Sequence, residues 1–186
     1  MESTTLTNQF LIAMPGLADP NFHRTVTYIC AHNEDGAMGI IINRPLDLVL
    51  DEVLEQMDIH ANDERIGQTT VFQGGPVQAD RGFVLHRPIQ KWDYSIQICD
   101  EFGITTSRDI LMAIANGTGP EQTLVALGYA GWAAGQLEEE ILNNVWLHSP
   151  ADSRIIFKTP VEQRWESAAA LAGIDLERLT SNAGHA

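Results

Sequence analysis

The chain has 186 residues, of which 44% are hydrophobic and 19% charged, and its 25 acidic and 11 basic side chains give a formal net charge of -14. A chain of this length buries about 70% of the surface that its unfolded form exposes, so one core suffices without disulfides or metals. We therefore expect a single domain over residues 1–186. The acidity disfavours nucleic acids and anionic membranes as partners, because binding them requires clustered Lys and Arg.

No run of apolar residues reaches the ~18 that a membrane-spanning helix needs. The start MESTTLTNQF lacks the basic and apolar segments of a signal peptide. We therefore expect a cytoplasmic protein. Cys30 and Cys99 both lie in apolar, strand-like runs, as buried reduced thiols do, and a redox pair is the alternative.

The first third of the chain predicts three strands and a helix. Residues 9–14, 26–31 and 37–42 are rich in β-branched and long apolar residues, and the turn sequence at 33–36 joins the second and third as a hairpin. Asp47 is then expected to cap a helix. The apolar residues of this helix recur at helical spacing, namely at Leu50, Val53, Leu54 and Met57.

The middle of the chain predicts further strands. Strand-like residues at 70–73, 82–86 and 94–99 resemble an antiparallel meander, and a Gly-Gly-Pro loop at 74–76 joins the first two.

A helix and a buried strand are expected next. Ser107 is a candidate N-cap for a helix over 108–116, which Gly117 closes. The buried strand follows at 123–130.

The C-terminal part predicts two helices separated by a strand. A short helix contains Leu137, and the apolar run 154–157 is strand-like. Pro160 begins the final helix at its preferred first position, Gly173 ends it, and the tail at 181–186 is expected to fray. Helices interspersed among strands in hairpins indicate an α/β protein of the α+β type, with a mixed sheet and helices outside.

The common catalytic and cofactor motifs are missing from the sequence. It has no G-x-S-x-G nucleophile elbow, no H-E-x-x-H metal pair, no G-x-x-x-x-G-K-[ST] phosphate loop and no strand-linked G-x-G-x-x-G. His23 and His86 have no visible nucleophile partner, so we expect structural or surface roles for both. We expect no metal and no cofactor, and the sequence leans against an enzyme.

Polar residues and glycines stand at the ends of the predicted strands. Arg44 follows a strongly apolar strand, and its planar guanidinium suits a carboxylate of a ligand or of the protein itself. Gly74 and Gly75 offer consecutive N–H groups from a loop free to take positive φ, which fits an anion nest or a turn that serves only topology. Arginines concentrate near these strand ends, where a small anionic ligand or an acidic peptide fits them. They are Arg24, Arg44, Arg81 and Arg87.

The segment after the last long strand contains Trp132 and Glu138. Trp132 fits either a core residue or a platform on which a ligand stacks. Glu138 and Glu140 are two residues apart on a predicted helix and therefore point to different sides, which disfavours an acid and base pair.

Six ordered sequence blocks span the chain. They are MPGLADPNFHRTV, GAMGIIINRP, FQGGPV, RGFVLHRP, GYAGWAAGQLEEEI and NVWL. In this order they resemble the AlgH/YqgE family of bacterial proteins. The resemblance implies a complex α/β domain whose largely antiparallel sheet has barrel-like or bifurcated character and is surrounded by helices. It also implies a bacterial cytoplasmic protein described as a transcriptional regulator, and it supplies no catalytic residue.

The leading hypothesis is a noncatalytic regulatory or adaptor domain that binds a small anionic ligand or a protein partner. The binding face is expected at the strand ends that contain Arg44, Gly74, Gly75 and Arg81. An enzyme of hydrolase type, with a His or Glu as base on the same face, is the alternative, and direct DNA binding ranks third. The candidate binding residues are Asn21, Arg24, Asn43, Arg44, Gly74, Gly75, Arg81, Trp132 and Glu138.

Overall fold

The computed structural model describes residues 5–176 and 178–179. The tail at 181–186, for which we expected fraying, lies outside the described residues. The strands are β1 (Gln9–Ala13), β2 (Val26–Asn33), β3 (Gly36–Ile41), β4 (Pro45–Val49), β5 (Thr70–Gln73), β6 (Val77–Arg87), β7 (Ser95–Gln97), β8 (Gly103–Thr105), β9 (Gln122–Ala133) and β10 (Trp146–Pro150). The helices with defined bounds are α1 (Leu50–Gln56), α2 (Glu64–Gly67), α3 (Arg108–Ala115), α4 (Gln136–Leu142), α5 (Ser153–Phe157) and α6 (Arg164–Leu171), and a 3-10 turn at Val161–Gln163 precedes α6.

Two compact units divide the chain. Unit 1 combines Met1–Asn43 with Ala130–Ala186, and unit 2 is Arg44–Tyr129. Strand β9 begins in unit 2 and ends in unit 1, because the boundary falls within it.

Unit 1 contains an antiparallel sheet in the order β10-β1-β2-β3, to which residues 130–133 of β9 add the next strand. The predicted hairpin of β2 and β3 is confirmed, with pairs running from Thr27↔Ile41 to Asn33↔Gly36. Gly36 has a φ of +138°, and a Cβ there would overlap the carbonyl oxygen of Trp132. The turn therefore requires glycine both for its backbone conformation and for the close approach of β9.

The core of unit 1 joins the sheet to α4. Leu11 of β1 and Ile29 of β2 are fully buried and pack with Leu137 of α4, which is 1% exposed. Trp132 and Trp146 belong to the same buried group. Burial of these large side chains is the main stabilising contribution of unit 1, at about 1.5–3 kcal/mol for each aliphatic side chain.

Residues 122–129 of β9 form the centre of the sheet in unit 2. Val125 of β9 pairs with Val71 of β5 in parallel and with Val84 of β6 antiparallel. Strand β8 follows β6, β7 follows β8, and β4 pairs with β5. Helices α1 and α3 cover one face of this sheet, where Leu54 and Ile110 are fully buried against the three valines.

The predicted meander is wrong. Strand β5 pairs with β4 and β9 rather than with β6, and β8 lies between β6 and β7. Strand β8 has three residues, which is too short for a recognisable alternation of apolar and polar side chains. The parallel pairing of β5 with β9 joins segments far apart in sequence, so local turn signals do not reveal it.

The predicted cap at Asp47 is also wrong. Asp47 is an exposed residue of β4, between the half-buried Leu46 and Leu48, as the alternation of a strand requires. Helix α1 begins after Val49, whose N–H donates to Oε2 of Glu52 at 3.0 Å. The Glu52 carboxylate thus satisfies the N–H of Val49, which is the half of a capping box that an apolar N-cap residue still allows.

The strand expected at 154–157 is helix α5 instead. Oδ1 of Asp152 accepts the N–H of Arg154 at 2.9 Å and caps this helix. Pro160 precedes the 3-10 turn rather than opening α6, whereas Gly173, with a φ of +78°, ends α6 as predicted. Ser107 occupies the predicted N-cap position of α3, but its Oγ donates to Asp109 rather than capping the helix.

The fold class is confirmed as mixed α/β with a largely antiparallel sheet. Among the strand pairs of the described residues, only β5 with β9 is parallel. Strand β9 pairs with β3 through residues 130–133 and with β5 through residues 125–127.

Candidate functional site

Four of the predicted binding residues lie in one row across the sheet of unit 2. Arg44 immediately precedes β4, and its carbonyl oxygen accepts the N–H of Gln73 at 2.8 Å. Gly74 and Gly75 follow β5, while Arg81 lies in β6 where that strand departs from regular pairing with β9. We call Arg44, Gly74, Gly75 and Arg81 the strand-end row.

The two glycines of the strand-end row pack against β9. The N–H of Gly74 donates to the carbonyl oxygen of Leu127 at 2.7 Å, so the sheet uses this donor. Both glycines are buried, and neither takes a positive φ. A Cβ on Gly74 would overlap the carbonyl oxygen of Gly128. These glycines therefore allow the loop backbone and β9 to approach closely.

The arginines of unit 2 make contacts within the protein. Arg81 is exposed, its Nη1 donates to Oε1 of Gln78 at 3.2 Å, and its guanidinium lies 5.6 Å from the ring centroid of Phe83. Nη2 of Arg87 lies 3.3 Å from Oε1 of Glu101 in an exposed ion pair. Arg44 is half-buried.

Unit 1 contains the remaining candidates. Asn43 bridges two backbone segments, since its Oδ1 accepts the N–H of Val26 at 2.9 Å and its Nδ2 donates to the carbonyl oxygen of Arg24 at 2.9 Å. The guanidinium of Arg24 lies 5.1 Å from the ring centroid of Trp165. Asn21 is exposed in the same loop. Asn43 therefore fixes the loop between β1 and β2.

Glu138 forms a hydrogen bond with His32. Nδ1 of His32 accepts the N–H of Leu6 at 2.9 Å, so neutral His32 carries its proton on Nε2 and donates it to Oε1 of Glu138. The side chain of His32 is 5% exposed and that of Glu138 is 47% exposed. Glu138 thereby ties α4 to β2.

Trp132 is a buried residue of unit 1 rather than an exposed platform. Its Nε1 donates to Oε1 of Glu140 at 3.2 Å, and the same oxygen accepts Nε1 of Trp146 at 3.0 Å. Phe22 packs edge-on against Trp146, with ring centroids 5.4 Å apart. One carboxylate thus satisfies both indole donors of this aromatic group.

A pocket of about 390 Å³ opens on the helix-covered face of the sheet in unit 2. A Cβ on Gly82 would meet no atom within 4 Å, so this glycine leaves space in the pocket. Asp80 is the one carboxylate among the described residues that line it. The lining residues come from β4, α1, β6, α3 and β9 and from the segments that directly follow α1 and β8, and they are Leu48, Val53, Gln56, Met57, Asp80, Gly82, Thr106, Leu111 and Leu127.

Sequence reasoning missed this pocket because its walls come from segments far apart in the chain. The helical spacing of Val53 and Met57 correctly indicated an apolar face of α1. Both side chains are only half-buried, which shows that the core leaves part of this face uncovered. Such partial coverage depends on the packing of α1 against β4 and β6 and has no local sequence signal.

His86 lies at the other end of β6 and is fully buried. Its Nδ1 lies 3.1 Å from the carbonyl oxygen of Pro88, and its Nε2 lies 2.8 Å from Oγ1 of Thr105. Oγ of Ser95 lies 2.6 Å from the same Thr105 oxygen. Burial lowers the pKa of His86 from its ordinary value of 6.5, against an opposing effect of the hydrogen bond to Pro88. The sequence shows no nucleophile beside His86, but in the fold the hydroxyl of Thr105 connects His86 to Ser95.

The cysteines lie in different units. Cys30 is buried in unit 1, and burial raises the pKa of its thiol well above the ordinary range. Cys99 is half-buried in unit 2. Residues 5–176 and 178–179 contain no group of three or more His, Cys, Asp or Glu side chains arranged to hold a metal ion. None of the helices in the described part of the chain has the length and apolar character that crossing a membrane requires.

Comparison with known proteins identifies relatives along the whole chain. A family model described as AlgH-like matches residues 10–177. A UPF0301 protein from Nitrosococcus oceani is 60% identical over 179 residues, which are 96% of each chain. A relative from Hahella chejuensis is 58% identical over 183 residues, 98% of this chain and 97% of the relative.

Two solved structures are similar to this fold. The solution structure of the AlgH protein from Pseudomonas aeruginosa is 52% identical, with a TM-score of 0.81 over 100% of this chain and 98% of that protein. A crystal structure of a protein from Corynebacterium diphtheriae is 19% identical, with a TM-score of 0.68 over 89% of this chain and 86% of that protein. At this low identity, the second likeness concerns the fold alone.

Proposed function

This chain belongs to the AlgH-like family, and we propose that it is a regulatory or adaptor domain that docks a protein partner in the pocket of unit 2. The bound part of the partner is an apolar side chain that lies next to a basic residue. The observation that supports this proposal is the pocket itself, with its apolar walls and its single carboxylate at Asp80.

The lining of the pocket favours an apolar group. Leu48, Val53, Met57, Leu111 and Leu127 supply most of the walls, and transfer of an apolar side chain from water to such surroundings is favourable. The volume of about 390 Å³ is near the lower end of the roughly 300–1,000 Å³ found for ligand pockets, so one or two large side chains fit.

Charge favours a basic partner over an anionic ligand. Asp80 at the pocket would repel an anion, and the net charge of -14 raises the encounter rate with cationic segments. The N–H of Gly74 donates to the carbonyl oxygen of Leu127. Because this donor is already used, the strand-end row is a poorer candidate for an anion nest. The guanidinium of Arg81 lies over the ring of Phe83, and Arg81 is not among the residues that line the pocket.

A matched set of small probes tests this proposal. Isoamylamine, isopentanol and isovalerate share one branched apolar group and differ in charge. We expect each probe that binds to shift the amide NMR signals of Gly82, Thr106 and Leu127. The amine should bind with the lowest Kd. An exposed ion pair with Asp80 contributes up to ~1 kcal/mol, or about fivefold in Kd. In Asp80→Asn, the amine and the alcohol should bind equally.

Filling the pocket provides the second arm of the test. Gly82→Leu places a side chain in open space and should abolish the probe shifts without loss of fold. Gly16→Leu is the matched control, because a Cβ on Gly16 also meets no atom within 4 Å but Gly16 lies in unit 1. Preferential binding of isovalerate would favour an anionic ligand and contradict the proposal. Probe shifts that persist in Gly82→Leu would also contradict it.

A further inference from the structure

A chain of hydrogen bonds connects the buried His86 to the surface of unit 2. Thr105 in β8 is fully buried and lies between His86 in β6 and Ser95 in β7. Ser95 pairs directly with Thr105 across the two strands and is exposed. The distances along the chain are 2.6 Å from Ser95 to Thr105 and 2.8 Å from Thr105 to His86.

The chemistry of the partners fixes the direction of these hydrogen bonds. The carbonyl oxygen of Pro88 can only accept, so Nδ1 of His86 donates to it and Nε2 of the neutral ring has a free lone pair. Thr105 then donates its proton to Nε2. Since that proton is used, Ser95 must donate to Thr105. The lone pairs of the Ser95 oxygen therefore face away from this series of hydrogen bonds.

Gly103 makes room for this arrangement. It pairs with His86 between β6 and β8, and a Cβ at this position would lie 2.8 Å from Cε1 of the imidazole ring. No ordinary Cβ approaches a side-chain atom that closely, so a larger residue would displace the ring. Glycine thus allows the imidazole to cross β8 and reach Thr105 instead of turning away.

We propose that Ser95 is a nucleophile that accepts acyl groups from activated esters or thioesters, while Thr105 and His86 carry its proton away. Oγ of Ser95 forms a bond to the acyl carbon, and the bond from that carbon to the leaving oxygen or sulfur breaks. The Ser95 proton moves to Thr105 as the Thr105 proton moves to Nε2 of His86. The leaving group departs as an anion and takes up a proton from imidazolium or water.

The state of His86 suits this role. The neutral ring can accept a proton, and its lowered pKa keeps it neutral at physiological pH. Ser95 lies exposed on a strand that pairs on one side only, with β8, among the described residues. A donor that presents its acyl group at the end of a larger molecule can therefore reach the serine. This activity is independent of the proposed docking pocket, whose lining does not include Ser95.

Reaction with p-nitrophenyl acetate tests the proposal. We expect release of p-nitrophenolate and an acetyl group on Ser95, located by peptide mass spectrometry of the full chain. Ser95→Ala should remove that acetylated peptide. Absence of acetylation at Ser95 in the unmodified protein would overturn the proposal, because a purely structural hydrogen-bond chain predicts no reactivity there.

Substitutions at Thr105 separate proton transfer from structure. Thr105→Val keeps the shape but removes the hydroxyl, and it should slow acetylation of Ser95 by about 100-fold or more, as loss of a positioned proton acceptor does. Thr105→Ser retains the hydroxyl and should restore most of the rate. Thr27→Val is the matched control, because Thr27 is also a fully buried strand threonine but lies in unit 1. A wild-type rate in Thr105→Val would overturn the proposal.

A second variant keeps the test decisive if Thr105→Val does not fold. Gly103→Ala leaves Ser95 and Thr105 in place but displaces the ring of His86. The circular dichroism spectrum should stay native, and acetylation of Ser95 should be at least tenfold slower. This lower bound is smaller than the ~100-fold effect expected when proton transfer is lost completely. A folded Gly103→Ala protein that reacts at the wild-type rate would exclude His86 from the reaction.

Discussion

At the scale of single residues, His86 couples the stability of the fold to pH. Burial lowers its pKa in the folded protein below the ordinary 6.5 of the unfolded chain. As the pH falls below 6.5, the unfolded chain binds a proton that the folded protein does not, so the free energy of unfolding decreases. This contribution is fully present above pH 6.5 and is lost as the pH falls toward the lowered pKa. The limiting slope is ~1.4 kcal/mol per pH unit.

Urea denaturation between pH 5 and 8, a range that brackets the ordinary His pKa of about 6.5, measures this effect. We expect His86→Gln to have a smaller slope of unfolding free energy against pH than the unmodified protein. Leu85→Ala is the control, because it removes a buried side chain of the same strand that does not titrate. It should lower the free energy of unfolding equally at each pH. Parallel pH curves for His86→Gln and the unmodified protein would contradict the prediction.

The polar candidates show how far single residues can be interpreted from sequence. Asn43 and Glu138 were predicted as binding candidates, and the structure gives each a specific partner within the protein: Val26 and Arg24 for Asn43, and His32 for Glu138. Those partners come from segments separated by many residues. A sequence pattern identifies a residue with special chemistry, but only the fold shows whether the protein itself uses that chemistry.

At the scale of secondary structure, the long strands and helices were predictable and the short ones were not. Strand β9 and helix α3 have enough residues for their apolar spacing to identify them. Helix α5 has five residues, and the run of Arg and three apolar residues at 154–157 within it fits a short strand equally well. Its one distinguishing signal was Asp152, a side-chain cap one residue before the helix. The parallel pair of β5 with β9 required knowledge of contacts distant in sequence.

The close packing of β5 and β6 on β9 depends on Gly128. Its φ is +78°, and a Cβ would overlap the carbonyl oxygen of Gly75. Gly128→Ala therefore combines backbone strain with a steric clash. Gly173→Ala is the matched control, because its φ is also +78° but a Cβ there meets no atom within 4 Å. The difference between the two variants isolates the clash.

We expect Gly173→Ala to lose about 1 kcal/mol of unfolding free energy, the cost of left-handed backbone for a residue with a Cβ. Gly128→Ala should lose at least ~2 kcal/mol more, as overpacking a close contact does. Urea denaturation followed by circular dichroism measures both. Equal losses in the two variants would show that β9 can move away from the Gly75 loop. Failure of Gly128→Ala alone to fold would agree with the prediction.

At the scale of the whole molecule, the net charge of -14 opposes folding through self-repulsion. Salt shortens the range of this repulsion from ~30 Å at 0.01 M to ~8 Å at 0.15 M. We therefore expect the Tm, measured by calorimetry at neutral pH, to rise with NaCl over this range. Two exposed residues provide opposite tests: Glu34→Gln changes the net charge from -14 to -13 and should weaken the salt dependence, while Lys158→Gln changes it to -15 and should strengthen it. A Tm that falls with salt would show that favourable ion pairs outweigh the repulsion. In that case the basic segment of the proposed partner would gain nothing from the overall charge, and Asp80 alone would have to account for any preference for cations.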